Sequence, residues 1–302
     1  MAAKAREEAE IAGVRLTSPE KVLYPEQGTT KRELAEYYLA VADHMLPHVV
    51  RRPITLVRCP TGREKTCFYQ RHAGSGVPAE LEQAEIPGFE ESGAYLFIRN
   101  VKGLVALVQM GVLEIHPWPA REDKIERPDQ LVFDFDPGEG VDWKDVLQGA
   151  LDLRERLEAV GLSTFLRTSG GKGLHVVVPI DRRTTWDDFK QFAKSVALAM
   201  TRESPDRYLA TMSKAKRRGK IFVDYLRNQR GATAIASYST RRRSGAPVAT
   251  PIAWDELSAK TRPDMYNINN LPKRLDKLKN DPWADFFTVR QSITAKIQAA
   301  FI

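Results

Sequence analysis

The sequence predicts an α/β fold in which helices pack outside a mixed or antiparallel central sheet. Short apolar runs such as 131–137 and 174–179 have the length and the β-branched or aromatic composition of buried strands. Longer segments such as 143–160 carry apolar residues at the three- and four-residue spacing of an amphipathic helix. With 302 residues the chain can bury a large core, which suits one large domain or two closely joined lobes.

The bulk composition indicates a soluble intracellular protein with a polyanionic partner. Lys and Arg number 46 against 39 Asp and Glu, a net charge of +7, although a mild positive charge is common. No apolar run reaches membrane length, and the polar start does not resemble a signal peptide, so no membrane partner is expected. Cys59 and Cys67 lack the spacing of a zinc site, so we expect two reduced thiols.

The N-terminal segment contains one clear helix start. Residues 1–13 are rich in Ala, Glu and Lys and predict a tail or a frayed helix. A helix is predicted over 31–48, because Thr30 precedes a glutamate by three residues, the spacing of a capping box. Lys21 and Lys31 flank this helix start, where they would either be solvated or hold a phosphate.

Strands and loops alternate in the segment up to residue 120. Phe68 and Tyr69 adjoin in a polar neighbourhood, so we expect one ring in the core and the other available to stack on a base. His116 lies at a strand end, a position typical of a structural histidine whose ring nitrogens are hydrogen-bonded within the fold. The predicted elements are strands at 54–58, 95–98 and 113–116, a loop at 88–93 and a helix at 101–110.

Two carboxylates, those of Asp134 and Asp136, lie in the apolar run 131–137. Because side chains alternate across a strand, both aspartates point to one face and the phenylalanines beside them to the other. Two acids this close repel each other unless a cation lies between them, which favours a divalent-metal site. Two solvated acids at a strand end would give the same pattern, so Asp-x-Asp alone is a weak motif.

A glycine-rich turn, Thr168 to Gly173, joins two further predicted strands, 163–167 and 174–179. Glycines let the backbone approach a ligand, and successive N–H groups there can bind an anion. Lys172 adds a charge, and Ser169 adds a hydroxyl. The alternative is a simple hairpin with an exposed lysine, and the spacing is not that of a Walker loop.

A third acid, Asp224, lies in the apolar strand predicted at 221–226. Acids avoid such positions unless they are paired or bound to a metal, so Asp224 is the natural third ligand for the site. The basic run 212–220 lies immediately upstream, which favours binding of triphosphate or nucleic acid over a merely solvated face. The arginines at 241–243 provide guanidinium groups that suit phosphate oxygens.

The outer helices complete the predicted fold. Asp142 and Gly161 are placed to cap the helix 143–160 at its two ends. The other predicted helices are one at 187–200, a short one around Trp254, a basic one at 271–279 and an end helix that contains Phe286 and Phe287.

In combination these motifs resemble the archaeo-eukaryotic primase superfamily, and specifically the polymerase domain of bacterial ligase D, the end-joining DNA ligase. The likeness rests on Phe133 to Pro137, Thr168 to Val176 and Val223 to Gln229, and it runs from about Leu16 to Phe287. It implies a primase-polymerase-like fold with an RRM-like catalytic lobe and an active cleft between lobes. The expected divisions are an N-terminal lobe with DNA-end contacts at about 14–120, the catalytic lobe at about 121–250 and a helical part at about 251–302.

The resemblance also implies a role for individual residues. The catalytic metal ligands would be Asp134, Asp136 and Asp224. The nucleotide-binding residues would be Ser169, Lys172, His175, Arg217, Arg241, Arg243 and His116. The 5′-phosphate at a gap or break would be bound by Ser18, Lys21 and Lys31, with Ser18 in place of the asparagine that the family leads us to expect. The aromatic residues stacked on the template base would be Phe68 and Tyr69.

The implied activity is template-dependent and end-extending nucleotidyl transfer at double-strand breaks, with two Mn²⁺ or Mg²⁺ ions, NTP or dNTP as substrate and a preference for ribonucleotides. The implied partners are gapped or broken DNA ends with a 5′-phosphate, Ku, and the ligase and phosphoesterase modules of a parent enzyme. A ligase nucleotidyl-lysine motif is not recognisable, which fits a single module of such an enzyme. The implied location is the bacterial cytoplasm, at the nucleoid.

Two alternatives remain open at this point. A haloacid-dehalogenase-like phosphatase also has Asp-x-Asp at the end of an apolar strand, with the first aspartate as nucleophile. That family has Asp-x-Asp-Gly-Thr early in its fold, whereas here Pro137 follows the second aspartate late in the chain. A non-catalytic module that binds DNA ends would keep the basic clusters but would need none of the three acids.

Overall fold

The computed structural model describes residues 8–88 and 93–302. The chain forms two compact units. The first comprises Met1–Pro117, Ile235–Val248 and Tyr266–Lys277, and the second comprises Trp118–Ala234, Ala249–Met265 and Leu278–Ile302, each within the described residues. The residues after 250 are therefore shared between the two units.

The secondary structure is mixed throughout the described residues. The strands are β1 (Glu8–Ile11), β2 (Val14–Thr17), β3 (Val22–Tyr24), β4 (Thr29–Thr30), β5 (Ile54–Arg58), β6 (Phe68–Gln70), β7 (Glu82–Ala84), β8 (Tyr95–Phe97), β9 (Val112–Pro117), β10 (Gln130–Pro137), β11 (Phe165–Thr168), β12 (Leu174–Pro179), β13 (Tyr208–Leu209), β14 (Ile221–Asp224) and β15 (Thr250–Ile252). The helices are α1 (Lys31–Ala40), α2 (Ala42–Val49), α3 (Val101–Gln109), α4 (Trp143–Ala159), α5 (Trp186–Glu203), α6 (Leu271–Leu275) and α7 (Ala295–Ala299). Short 3₁₀ turns occur at Glu122–Lys124, Lys214–Lys216 and Trp254–Glu256.

The first unit is built on a five-stranded antiparallel sheet. Its strands lie in the order β6-β5-β8-β7, and β9 also pairs with β5. The capping box at Thr30 is confirmed, with the reciprocal bonds to Glu33 in place. The predicted helix 31–48 is divided in two, because the backbone of the buried Val41 leaves helical geometry at φ −102°, ψ 7°, a deviation that side-chain periodicity does not encode.

The expectation of a tail or frayed helix at the N-terminus is wrong for residues 8–13, and residues 1–7 lie outside the described residues. β1 and β2 form an antiparallel hairpin whose turn residues, Ala12 and Gly13, have φ angles of 50° and 76°, as a tight hairpin turn requires. The hairpin buries Ile11, Val14 and Leu16. Burial of these side chains outweighs the helical preference of the alanines and glutamates.

The expectation of two reduced cysteines is also wrong, because Cys59 and Cys67 form a disulfide. Arg58 pairs with Phe68 at the end of the β5–β6 ladder. The two cysteines follow and precede this last pair, so the ladder brings their Cα atoms to 4.3 Å, within the range for a disulfide. The pairing depends on strand register, which the spacing of two cysteines does not reveal.

The second unit is built on a six-stranded sheet in the order β13-β14-β10-β12-β11-β15. All neighbours are antiparallel except β13 and β14, which are parallel. The predicted class, helices around mixed and antiparallel sheets, is therefore confirmed. Gly161 follows α4 with φ +86° as expected, whereas Asp142 occupies the N-cap position of α4 without a side-chain capping bond.

The end helix predicted around Phe286 and Phe287 is wrong. These residues lie in turns, and the last helix is α7. The ring of Phe286 is buried, stacked on Trp283 at 4.6 Å and edge-on to Phe165, and this packing outweighs local helical periodicity. The loop expected at 88–93 falls mostly on residues 89–92, outside the described residues. Among the helices of the described residues, none has the length and apolar character needed to cross a membrane.

Candidate active site

The three predicted acids meet on adjacent strands of the second unit. Asp134 lies opposite Asp224 in the β10–β14 ladder, and Asp136 follows two residues along β10. One carboxylate oxygen from each of the three lies within 4.8 Å of the others. Phe133 and Phe135 are fully buried on the other face of the strand. The alternation predicted from the sequence therefore builds an all-oxygen cluster.

Mutual repulsion and burial make this cluster costly without a cation. Burial, followed by the charges of Asp134 and Asp224, raises the pKa of Asp136 to about 7. Burial also raises the pKa of Asp224, although Arg227, 3.1 Å away, opposes the shift. Hard oxygen donors in this number and spacing suit Mg²⁺ or Mn²⁺, so the cluster fits a divalent-metal site.

Divalent cations are expected to stabilise the folded protein through these carboxylates. Binding at about one hundred times the dissociation constant adds about 2.7 kcal/mol of stability. Thermal unfolding with and without Mg²⁺ or Mn²⁺ measures the effect, and Asp136→Asn should reduce it strongly. An equal shift in melting temperature in the variant would show that the cation binds elsewhere.

The metal-free protein should also show a pH signature from Asp136. Its folded-state pKa of about 7 exceeds the ordinary value of 3.8, so its contribution to stability is present below about 3.8 and is lost as the pH rises through about 7. In EDTA, the wild type should lose stability relative to Asp136→Asn as the pH rises from about 4 to about 7, and the difference should level off above that. A constant difference across this range would contradict the raised pKa.

His175 lies beside the acid cluster in a defined orientation. It is buried and is paired with Asp134 in the β10–β12 ladder, with Nε2 at 3.4 Å from Asp134 Oδ1. Arg167 Nη2 donates to His175 Nδ1 at 2.7 Å. Because a guanidinium can only donate, Nδ1 accepts and the ring hydrogen lies on Nε2, facing Asp134. Sequence reasoning missed Arg167, which sets this tautomer.

The glycine-rich turn is ordered by its own serine. Ser169 Oγ accepts from the backbone N–H groups of Gly171 and Gly173 at 3.1 and 3.2 Å. A Cβ at Gly173 would lie 2.0 Å from the carbonyl oxygen of Phe135, so only glycine fits against the acid-bearing strand. Lys172 is exposed at the tip of the turn. Ser169 thus holds the turn in place, and its contact with a triphosphate stays a prediction.

The basic run before β14 is held against the end of β10. The backbone N–H of Gly138 donates to the carbonyl of Lys220 at 2.9 Å, and a Cβ at Gly138 would lie 1.7 Å from the carbonyl oxygen of Arg217. The Arg217 guanidinium packs over the ring of Phe222 at 4.1 Å, and its charge lowers the pKa values of Asp136 and Asp224. Arg217 therefore acts electrostatically on the acid cluster, and binding of a triphosphate by this run stays a prediction.

The first unit holds a separate cluster around Glu114, which sequence reasoning missed. Glu114 is 7% exposed and accepts from His116 Nε2 at 2.8 Å and from the backbone N–H of Arg242 at 2.8 Å, with Arg241 Nε at 3.3 Å. Burial raises the pKa of Glu114, but the bond from His116 and the charge of Arg241 outweigh it and lower the pKa to about 2. An acid in an apolar strand, two residues before His116, is the sequence signal that could have indicated a buried ion pair at Glu114. Arg243 is half-buried nearby in the chain.

The proposed phosphate-binding lysines also lie in the first unit. Lys31 is 7% exposed, and its Nζ donates to Thr17 O at 2.9 Å and to Gln109 Oε1 at 3.2 Å. Burial and the charge of Lys21 lower the pKa of Lys31, so the two cations are close together. Ser18 is exposed, with φ +52°. This concentration of positive charge suits an anion.

The expectation that one of the two adjacent aromatics is in the core is wrong. Phe68 is 44% and Tyr69 is 76% exposed. Both lie on the short strand β6 beside the disulfide, and the Arg58 guanidinium lies over the Phe68 ring at 5.4 Å. Because successive residues of a strand point to opposite faces, these exposures show that both faces of β6 are accessible at this point, and both rings are available for stacking.

Comparison with known proteins shows the family to which the chain belongs. A sequence model described as "LigD, primase-polymerase domain" matches residues 30–283. The chain is 41% identical over 294 residues, 96% of its length, to a Pseudomonas aeruginosa protein named multifunctional non-homologous end joining protein LigD. It is 38% identical over 247 residues, 81% of its length, to the protein of the same name from Mycolicibacterium smegmatis. It spans 35% and 32% of these relatives, about a third of their length.

A solved structure is similar over nearly the whole chain. It is described as the polymerase domain from Mycobacterium tuberculosis ligase D in complex with DNA, and it matches with a TM-score of 0.82 and 33% identity. The match covers 95% of this chain and 98% of the other. The likeness therefore extends across both units of the fold.

Proposed function

Because the chain belongs to the primase-polymerase domain family of LigD, we propose that it extends the 3′ ends of gapped or broken DNA by template-directed nucleotidyl transfer. The curated relatives are named for non-homologous end joining, and the similar solved structure is a complex with DNA. The observation that carries the proposal is the cluster of Asp134, Asp136 and Asp224, with carboxylate oxygens within 4.8 Å of one another.

The residues of the second unit suit attack of a primer 3′-hydroxyl on the α-phosphate of a nucleotide. Divalent ions held by the three aspartates would activate the hydroxyl and neutralise charge on the triphosphate. His175 donates from Nε2 toward Asp134 and so orients that carboxylate. Lys172 and Arg217 supply positive charge for the triphosphate and the leaving pyrophosphate.

The remaining site residues are assigned to recognition. Within the first unit, His116 and Arg241 are held by the buried Glu114 and would contact the incoming nucleotide, together with Arg243. Phe68 and Tyr69 would stack on the template base, since base–aromatic stacking contributes about 1–3 kcal/mol per base. Ser18 would contact the 5′-phosphate beside Lys21 and Lys31.

The finer features of the proposal follow the family. The substrates would be NTPs, with ribonucleotides preferred over dNTPs, and the metal would be Mn²⁺ or Mg²⁺. Ku and the ligase and phosphoesterase modules would be partners, since the chain spans about a third of its multifunctional relatives. A protein that acts on breaks in chromosomal DNA would be located in the bacterial cytoplasm, at the nucleoid.

The decisive experiment is primer extension across a one-nucleotide gap that carries a 5′-phosphate. Each of the four NTPs is supplied singly with Mn²⁺, and the four possible template bases are compared. Addition that follows the template base and is lost in Asp134→Ala/Asp136→Ala would establish the activity. Release of phosphate from a simple ester without any addition would instead support a phosphatase, and DNA binding without either activity would leave a binding module.

Lys31→Ala should selectively weaken the use of 5′-phosphorylated gaps. A charge-assisted hydrogen bond to phosphate is worth about 1.5–3 kcal/mol, or about 10- to 150-fold in affinity. The measurement is the dissociation constant for gapped DNA with a 5′-phosphate and with a 5′-hydroxyl, for the wild type, Lys31→Ala and Lys21→Ala.

The ratio of the two affinities separates recognition from folding. Lys31 is buried and bonded to Thr17 and Gln109, so its loss will also lower stability. Lys21 is half-buried and its Nζ donates to Pro60 O, so its replacement should cost less stability. Equal weakening on both DNAs in both variants would refute the phosphate pocket.

A further inference from the structure

A basic cleft lies at the far end of the second unit's sheet from the aspartate cluster. Its volume is about 590 Å³, and it is lined where β10 begins and β12 ends, by Asp129 and Pro179. Asp134 is five residues further along, which corresponds to about 17 Å of strand. The cleft is therefore separate from the candidate active site.

The lining of this cleft is predominantly cationic. Five basic side chains line it against two acids, the basic ones being Arg121, Lys124, Arg182, Arg183 and Arg290 and the acids being Asp129 and Asp181. Two of the cations have carboxylate partners: Arg121 pairs with Asp129 at 3.5 Å, and Arg182 donates to both oxygens of Asp123 at 2.7 and 3.0 Å.

The other three cations have no carboxylate partner among the described residues, although Arg290 Nη1 donates to Phe287 O at 3.2 Å and to Val289 O at 3.3 Å. Lys124, Arg183 and Arg290 form no ion pair with any carboxylate in the part of the chain that the structure describes, and all three side chains are exposed. A concave site with several unpaired cations concentrates anions, phosphate groups above all. The charge of the lining therefore suits an anionic ligand.

The cleft is held by bonds among three chain segments. The backbone N–H of Ile180 donates to Asp129 O at 2.9 Å, and that of Asp181 donates to Gln291 O at 2.7 Å. Gln291 Nε2 donates to Pro179 O at 2.6 Å. The Nε atom of Arg182 is buried without a hydrogen-bond partner among the described residues. The walls are thus positioned before any ligand binds, which lowers the entropic cost of binding.

An exposed aromatic ring distinguishes this cleft from a simple phosphate site. Phe287 is 39% exposed in its lining and rests edge-on against the buried Phe286 at 5.0 Å. Cations beside a partly exposed aromatic ring are the combination that binds single-stranded nucleic acid, because an unpaired base offers a face for stacking. A base-paired duplex does not present such a face. The ring therefore favours a single strand over a duplex.

We propose that this cleft is a second nucleic-acid site, which binds the phosphates of a single strand through Lys124, Arg183 and Arg290 and stacks one base on Phe287. The proposal does not depend on the polymerase assignment, since it concerns binding alone. On a DNA end, it would hold an unpaired stretch of strand away from the reacting atoms.

The test measures the affinity of the full chain for a fluorescent oligothymidylate of fifteen nucleotides by anisotropy at several salt concentrations. Arg183→Ala/Arg290→Ala should weaken binding by about tenfold or more and reduce the salt slope by about 1.4, the value for two lost contacts to a single strand. Phe287→Ala should weaken binding about tenfold at an unchanged salt slope. The matched control, Lys144→Ala/Lys279→Ala, removes two exposed charges of the same unit outside the cleft and should change affinity less than twofold.

Two further measurements make the outcome decisive. Photo-crosslinking of an oligonucleotide with 5-iodouracil should map to Phe287 or its immediate neighbours in the wild type. Equal weakening in the cleft and control variants, or crosslinks confined to other segments, would overturn the proposal. Loss of ATP or triphosphate binding in the cleft variant, with oligothymidylate binding unchanged, would also overturn it in favour of a small phosphorylated ligand.

Discussion

Asp134→Asn should remove nearly all nucleotide addition while leaving the protein folded. The substitution deletes one of three carboxylates whose oxygens lie within 4.8 Å of each other. Asp134 lies on β10, which pairs with β12 on one side and with β14 on the other. Charge stabilisation by a bound metal contributes several kcal/mol to such a reaction, so we expect a loss on the order of a thousandfold or more in kcat.

Asp134→Asn should not lower the melting temperature of the metal-free protein, although it lowers activity. Asp134 raises the pKa values of both Asp136 and Asp224 through its charge, so its neutralisation relieves repulsion in the metal-free protein. The melting temperature in EDTA should therefore be unchanged or higher. This pattern distinguishes loss of a functional charge from simple misfolding.

Asp142→Asn is the matched control. It removes the same charge from the same unit at an exposed position that makes no capping bond to α4, and it should change kcat less than twofold. Substantial residual extension by Asp134→Asn would refute its assignment as a metal ligand. A large loss of stability in EDTA would refute the electrostatic account of the cluster.

The members of the acid cluster were predictable because each is marked by a short-range pattern. Alternation along one strand places Asp134 and Asp136 on the same face, and an acid in the apolar strand of Asp224 needs a partner. The capping box at Thr30 is likewise encoded within four residues. These local features are confirmed, whereas the meeting of Asp224 with Asp134 depends on the pairing of β14 with β10, two strands distant in the chain.

The features that the sequence did not predict depend on strand register or on packing partners, which local patterns do not encode. The disulfide of Cys59 and Cys67 requires the β5–β6 register. The turns around Phe286 replace a helix because that ring packs on Phe165, more than a hundred residues away. Glu114 gains its ion-pair partner only when Arg241 is brought beside it. In the Phe286 segment, tertiary contact overrides local periodicity.

Glu114→Gln should both destabilise the first unit and impair nucleotide binding. The buried carboxylate holds His116, Arg241 and the backbone N–H of Arg242 together. Removing one partner of a buried ion pair leaves the other charge uncompensated, so we expect a loss of roughly 3 kcal/mol in the free energy of unfolding. Glu126→Gln, which breaks the surface ion pair with Arg230, should cost less than about 1 kcal/mol.

The pH dependence tests the same charge. The folded-state pKa of Glu114, about 2, lies below its ordinary value of 4.5. Its contribution to stability is therefore complete above about 4.5 and is lost as the pH falls through about 2. The difference in unfolding free energy between the wild type and Glu114→Gln, measured by urea unfolding, should shrink as the pH falls below about 4.5. A difference that stays constant would show that shape, and not charge, sets the effect.

Kinetics separate positioning from structure. As a positioning residue, Glu114 acts through His116 and Arg241, which are assigned to the incoming nucleotide, so the variant should raise KM for the NTP about tenfold or more, with a smaller effect on kcat. Glu114→Asp should restore part of the KM effect, since it keeps the charge. An unchanged KM in folded Glu114→Gln would leave the carboxylate a structural role only, and it would remove the support that this cluster gives to nucleotide recognition by the first unit.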